Sequence, residues 1–124
     1  MTAHNGVLVD PDGTVTTETF DAVDLEALRA AVGARYVDVV RVARLDEAND
    51  LTLDAWVDDE GLFHAEFNPV ASVMVASLLG APCQRFHGKM LFVAGNTATG
   101  DSVGLPQVTQ QALADMGKYL ATTL

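Results

Sequence analysis

At 124 residues, 49% of them apolar, the chain has the size and make-up of one ordinary domain, long enough to bury roughly two thirds of its unfolded surface without a disulfide or metal. Its formal charge of −10 belongs to the first half: Met1 to Glu66 carry 15 acids against 4 arginines, and the rest carries 2 acids against 3 bases. A field of that sign repels phosphates and leaves no basic stripe, which excludes direct DNA or RNA binding.

The single cysteine, Cys83, rules out an internal disulfide and a multi-cysteine zinc site, and fits a reducing compartment. The segment MTAHNGVLVD lacks the basic-then-apolar pattern of a leader, and no run reaches the ~18 apolar residues of a membrane helix. The expectation is a soluble cytoplasmic protein with no membrane contact. Three readings of the acidity compete: general solubility, a surface for a basic protein, and mimicry of phosphates toward a DNA-binding protein. Scarce lysine with abundant Ala and Val also fits a GC-rich or salt-adapted source.

Residues 1–6 read as a flexible tail. Val7 to Val9 is a short strand, Asp10-Pro11-Asp12-Gly13 a turn, and Thr14 to Thr19 the returning strand, because Pro presets one φ and Gly permits a positive one. Asp24 precedes a helix with Leu25, Leu28 and Val32 on one face and Gly33 as its stop. Tyr36 to Val42 is a β-branched strand whose apolar phase shifts partway, which predicts a bulge or burial on both faces. Asp46 to Asp50 is a polar connection.

Leu51, Leu53, Ala55 and Val57 alternate with Thr52, Asp54, Trp56 and Asp58, the pattern of a strand with one buried face. Asp59-Glu60-Gly61 predicts a turn with positive φ at Gly61, followed by another strand. Asn68 and Pro69 then open a helix, as N-cap and first residue, that is apolar almost all round with only Ser72 and Ser77 facing water. So much apolar surface on a small domain predicts a homodimer or larger homo-oligomer. Lys89 to Ala94, KMLFVA, reads as a strand buried on both faces. Gly95 to Gly104 reads as a mobile glycine-rich loop, and Leu105 and Pro106 open a last helix with Val108, Ala112, Leu113, Met116 and Leu120 at helical spacing.

The order of these landmarks, from Asp10-Pro11-Asp12-Gly13 through YVDVVR (Tyr36 to Arg41), WVDDEG (Trp56 to Gly61), Asn68-Pro69-Val70-Ala71 and GKMLFVAG to GDSVGLP, resembles domain-of-unknown-function family 3846 over nearly the whole chain. The resemblance implies a small protein of a phage, a plasmid, or an actinobacterial or archaeal genome, hence a mobile-element origin and, if phage-encoded, the host cytoplasm as its location. It lends no catalytic residues, because the shared positions are turns and helix starts.

Constellations with chemical potential are few. Gly100-Asp101-Ser102-Val103-Gly104 spells the G-x-S-x-G of a nucleophile elbow, but Pro106 delays the helix and no histidine follows. Cys83, His87, His4 and His64 are the only soft metal ligands and lack the tight spacings of a zinc site. The acids of residues 10–12 and 58–60 read as solvated turns. The Gly95 to Gly104 loop is a candidate phosphate cradle if its backbone N–H groups are exposed, though its spacing fits neither a P-loop nor a dinucleotide fingerprint.

The expected fold is α+β: a single compact domain over residues 1–124, with a mixed or antiparallel sheet of about five strands and about three helices. The expected function is non-enzymatic: an accessory protein of a phage or mobile element that binds a host or phage protein through its acidic half, with Asp46, Glu47, Asp50, Asp58, Asp59 and Glu60 as the candidate surface. The alternatives are a small-ligand binder that sequesters a nucleotide signal in an anti-defence role through Gly95, Asn96, Thr97, Thr99, Gly100, Asp101 and Ser102, and an acidic DNA mimic. No cofactor, metal or catalytic residue is assigned.

Overall fold

A computed structural model describes residues 3–82 and 84–124. In chain order the elements are β1 (His4–Val9), β2 (Val15–Phe20), α1 (Leu25–Val32), β3 (Val37–Asp46), β4 (Leu51–Asp58), α2 (Gly61–His64), α3 (Pro69–Leu79), β5 (Met90–Asn96), β6 (Ser102–Val103) and α4 (Gln107–Thr123). The strands form one sheet in the order β2-β1-β5-β4-β3, with β6 paired to β5 beyond the end of β1. Every pairing is antiparallel, so the α+β expectation holds in its antiparallel form.

Central β5 explains the layering. Met90, Phe92 and Ala94 point to one face, where they pack with Val7, Val9, Leu53, Ala55 and Val57 beneath Val70, Ala71, Met74 and Val75 of α3 and Leu113 of α4. Leu91 and Val93 point to the other, where Leu8, Val23, Leu28 and Val32 form a smaller cluster with α1. A strand clad on both sides reads as an unbroken apolar run, as KMLFVA does. The cladding is unequal, because α1 has only 8 residues and leaves part of its face without a helix.

Several local expectations are corrected. His4, Asn5 and Gly6, assigned to the tail, belong to β1; they pair with Phe20, Thr19 and Glu18, and Asn5 O and His4 Nδ1 accept the N–H groups of Leu105 and Gly104. Met1 and Thr2 lie outside the described residues. The stretch after Glu60 is not a strand: Phe63 N donates to Glu60 O and Ala65 N to Gly61 O, closing the single turn of α2, and only Phe67 bridges to His87. Gly61 is needed for closeness rather than for a positive φ, since a Cβ there would collide with the His87 carbonyl oxygen.

The Gly95 to Gly104 segment is a hairpin, not an open loop, because Gly95 and Asn96 still belong to β5 and Ser102 pairs back onto Gly95. On α4 the inward stripe is Leu113, Ala114 and Gly117, with Met116 and Leu120 beside it, while Val108 and Ala112 face solvent. Gly117 lies directly against Val15 of β2, an approach that a side chain at this position would obstruct. β3 runs on to Asp46 with register shifts at Arg41/Ala43 and Arg44/Asp46, but pairing is regular from Val37 to Arg41, so the broken phase at Val39 and Val40 reflects burial on both faces: Val37 packs with the α1 cluster, Val40 and Val42 with the larger core.

Asn68 opens α3 as expected and is fully buried. Its Oδ1 accepts Ala71 N at 3.1 Å, and its Nδ2 donates to Val9 O at 3.0 Å and Gly88 O at 2.9 Å. Ser72, expected to face water, is half-buried; its hydroxyl donates to Asn68 O at 2.8 Å and accepts Phe86 N at 2.9 Å. Asn68→Ala removes the cap and orphans two carbonyls, so a loss of about 2–4 kcal/mol is expected in urea unfolding, with an unchanged m-value.

Candidate functional site

The six carboxylates of the expected acidic surface fall at opposite ends of β4. Asp46, Glu47 and Asp50 sit at the β3–β4 turn and Asp58, Asp59 and Glu60 at the far end, about 23 Å away at ordinary strand rise. They therefore make two patches, not one surface. The turn patch is partly neutralised, because Arg44 Nη1 lies 2.6 Å from Glu47 Oε1 and Arg41 and Arg44 line the same hollow of about 350 Å³ as Asp46, Glu47 and Asp50. Asp46 is occupied locally: Asn49 Nδ2 donates to its Oδ2 at 2.6 Å, and the N–H groups of Ala48 and Asn49 point at its Oδ1. The Asn49 amide, with smaller help from those N–H groups, holds its carboxyl below the usual carboxylate range.

At the other end Asp58 is largely buried, its Oδ1 accepting Glu60 N at 2.9 Å and its Oδ2 lying 2.9 Å from His64 Nε2. Asp59 and Glu60 stay exposed. Immediately beyond them α2 holds Leu62 71% and Phe63 83% exposed. Both side chains line an open hollow of about 450 Å³ with Asp38, Asp59 and Arg85, and the Arg85 guanidinium carbon stands 4.1 Å from the centroid of the Phe67 ring.

The glycine-rich hairpin has a different character from the expected phosphate cradle, because its backbone donors are consumed internally. Asn96 N bonds Asp101 O, Thr97 N bonds Asp50 O, Gly100 N bonds Asn96 O, Ala98 N and Thr99 N both bond Asn96 Oδ1, and Asp101 N bonds Thr99 Oγ1. The same Thr97 contact ties the hairpin to the β3–β4 turn, so the two candidate regions of the sequence meet at one end of the sheet. Any binding here must rely on side chains.

Those side chains enclose a hollow of about 270 Å³ on the helix-free part of the sheet. Gly95, Asn96, Thr97, Gly100, Asp101 and Ser102 contribute one wall, and Val39, Arg41, Asp54 and Trp56 the other; Thr99 is exposed outside it. The register sets Val39 opposite Trp56 and Arg41 opposite Asp54. The Asp54 side chain is only 6% exposed, its Oδ1 accepting Thr52 Oγ1 at 3.0 Å and standing 3.4 Å from Arg41 Nε, which belongs to a side chain 60% exposed. Gly95 leaves room for Asp54, whose Oδ2 occupies the space that a Cβ there would need. Trp56 Nε1 is the one side-chain N or O atom sealed from solvent without a partner among the described residues.

Val39, Arg41, Asp54 and Trp56 are the lining residues that sequence reasoning missed. The available signal was a carboxylate inside the alternating run of β4; its partner on β3 depends on a bulged register that local pattern does not specify.

The remaining candidates are dispersed. Ser102 lies within β6 rather than on a strand-to-helix elbow. His4 Nδ1 accepts Gly104 N, His87 Nδ1 lies 3.2 Å from Ala65 O, and His64 meets Asp58. Among the described residues no three His, Cys, Asp or Glu side chains are grouped to hold a metal ion; Cys83, counted above among the soft metal ligands, lies outside them. Asp12 serves its turn: its Oδ1 accepts Thr14 N at 2.9 Å, and this bond holds its carboxyl below the usual range. Among the described residues no helix is long and apolar enough to cross a membrane.

A family model described as "Domain of unknown function (DUF3846)" matches residues 2–118. The chain belongs to this family. No curated protein and no solved structure matches it significantly. In this DUF3846 member the landmarks shared with the family resemblance are structural: Asn68-Pro69 begins α3, Asp10 to Gly13 turns β1 into β2, and GKMLFVAG supplies the central strand.

Two measurements address this DUF3846 site. Trp56→Phe removes the orphaned donor at a modest loss of volume and is expected to keep unfolding free energy within about 1 kcal/mol of the parent, against a loss of about 3–5 kcal/mol for Trp56→Ala. Because the folded-state pKa of Asp46 is depressed, the stability it contributes is present above the unfolded carboxylate pKa and lost as pH falls through the folded value. Asn49→Ala is expected to raise the Asp46 midpoint toward the ordinary range, read by side-chain carboxyl NMR titration.

Proposed function

We propose that this DUF3846 member is a non-enzymatic binding protein, an accessory factor of a phage or mobile element that recognises a basic protein through the Asp58 to Phe63 end of the sheet. One observation carries the reading: α2 holds Leu62 and Phe63 side by side, 71% and 83% exposed, next to Asp59 and Glu60. Exposing two large apolar side chains on a four-residue helix forgoes burial worth about 1.5–3 kcal/mol each. An aromatic anchor among charges is the usual composition of an energetic centre within a polar rim. The surrounding carboxylates would attract a basic partner and speed its encounter, and the apolar pair would supply most of the hold.

The opposite acidic patch lends less support, since Arg41 and Arg44 stand among its carboxylates. The reading therefore narrows the acidic surface to the Asp58–Glu60 end, with Asp38 alongside.

The test is capture from host lysate followed by mass spectrometry and binding measurements with the purified partner. Phe63→Ala with Leu62→Ala is expected to weaken binding by about 2–4 kcal/mol, mainly through faster dissociation, while leaving thermal stability unchanged. Asp59→Asn with Glu60→Gln is expected to slow association and flatten its salt dependence. Capture that survives the apolar double substitution would refute the assignment, and competition by DNA for the same partner would identify mimicry.

A further inference from the structure

The sheet ends in β2 on one side and β3 on the other, and the two edges are finished differently. β3 is a poor template for another strand. Its register shifts between Arg41 and Ala43 and again between Arg44 and Asp46, and Asp38 Oδ1 accepts the Val39 N–H at 2.8 Å. Bulges and charged side chains of this kind discourage an added strand. β2 has none of these devices: Val15 to Phe20 pair with β1 in unbroken register, contain no proline, and carry Glu18 as their one charge.

The outward groups of β2 follow from its hydrogen bonds. Asp10 N donates to Thr14 O at the hairpin end, and bonded pairs alternate with unbonded ones along an antiparallel ladder, so β2 bonds β1 through Thr16, Glu18 and Phe20. Asn5 and Val9 of β1 confirm the phase, since their carbonyls turn away from β2 to Leu105 N and Asn68 Nδ2. Val15, Thr17 and Thr19 therefore direct N–H and C=O off the sheet, and among the described residues no group bonds to them. Thr17 and Thr19 share the face on which Val15 meets Gly117, yet both are exposed, so α4 leaves the edge clear. The strand is also held in place, by Gly117 over Val15 and by Thr19 Oγ1 donating to Asn5 Oδ1 at 2.9 Å, which lowers the ordering cost of pairing.

We propose that two copies of the chain join β2 to β2, antiparallel, about a two-fold axis at Thr17, so that one sheet runs through both. A second copy is the occupant because the strand complements itself. A two-fold normal to the sheet sets identical residues opposite each other at the axis, and centring it on Thr17 uses every outward residue. Thr17 then bonds the partner's Thr17, and Val15 bonds the partner's Thr19 on either side. The unbonded pair between them is Thr16 with the partner's Glu18, a hydroxyl that donates to a carboxylate, and no like charges fall opposite each other. The contact is small and belongs to the transient class. A charge of −10 on each copy opposes it and salt relieves that repulsion, the reverse of the response expected for a basic partner. The Asp58 to Phe63 surface takes no part, so either proposal stands if the other fails.

Sedimentation equilibrium of the full chain is run at low and high sodium chloride. Dimer is expected to form between about 10 µM and about 1 mM protein and to tighten with salt. Thr17→Pro removes the central donors, which face solvent in a single copy, and is expected to weaken association about ten- to a hundredfold while keeping the parent's circular-dichroism spectrum. Thr16→Lys, facing the partner's Glu18, is expected to tighten it about three- to tenfold relative to Ala48→Lys, which changes the net charge equally at the exposed β3–β4 turn. Crosslinking in a Cys83→Ser background reads the register and does not depend on the proline variant folding. Thr16→Cys mixed with Glu18→Cys is expected to form a disulfide on oxidation with diamide, and neither is expected to do so alone, because only the mixed pair falls within disulfide reach. A chain that stays monomeric at both salts, a dimer indifferent to Thr17→Pro, or Thr16→Cys crosslinking to itself as readily as in the mixture would overturn the proposal. So would an extended segment of another protein binding β2 of a chain that does not self-associate.

Discussion

The fold depends on a buried amide. Asn68 is fully buried between the end of β1, the start of α3 and the segment entering β5, and it bonds to all three: Val9 O, Ala71 N and Gly88 O. Its own N–H donates to Phe86 O at 2.8 Å. A carboxylate of the same shape would lack the donors, and an apolar residue would strand two carbonyls. The amide thus fixes where the most apolar helix meets the sheet, and Ser72, one turn on, fastens the same incoming segment through its hydroxyl.

From that junction the layering follows. α3 and α4 cover one face of the sheet, and their packing on Phe92, Met90 and Val7 makes the larger core. The opposite face receives only α1, anchored by Leu28 and Val32, so the half of the sheet toward the hairpin has no helix over it. Asp54 and Arg41 pair across β4 and β3 at the edge of that cover, and Gly95, opposite Thr52, leaves room for the Asp54 carboxylate.

The acidity resolves into parts that differ in kind. Asp12 and Asp46 accept neighbouring N–H groups and shape their own turns, which is local structural work. Asp54 is buried and opposed by one arginine. Asp59 and Glu60 make no such contacts and stand beside exposed apolar side chains, the pairing of long-range charge with short-range anchoring that suits recognition of another protein.

Local sequence was sufficient wherever one residue's chemistry dictates the backbone around it. Asp24 and Asn68 cap helices, Gly33 and Gly80 close them in left-handed geometry, and the run KMLFVA declares a two-sided strand, whereas Leu51 to Asp58, whose alternation predicts one buried face, also buries Thr52 and Asp54 on the other. These rules act over four or five residues, so they are written in the chain. Gly61, by contrast, answers to a carbonyl 26 positions away, at His87, and the Thr97 contact with Asp50 spans 47. Polar residues 4–6 became strand only because β2 and the approach to α4 supply their partners. The separation of Asp46 from Asp58, and the meeting of Arg41 with Asp54, were decided by strand register and bulges. Those depend on how distant segments pair, a choice made by the energy of the whole sheet and invisible to any window of sequence.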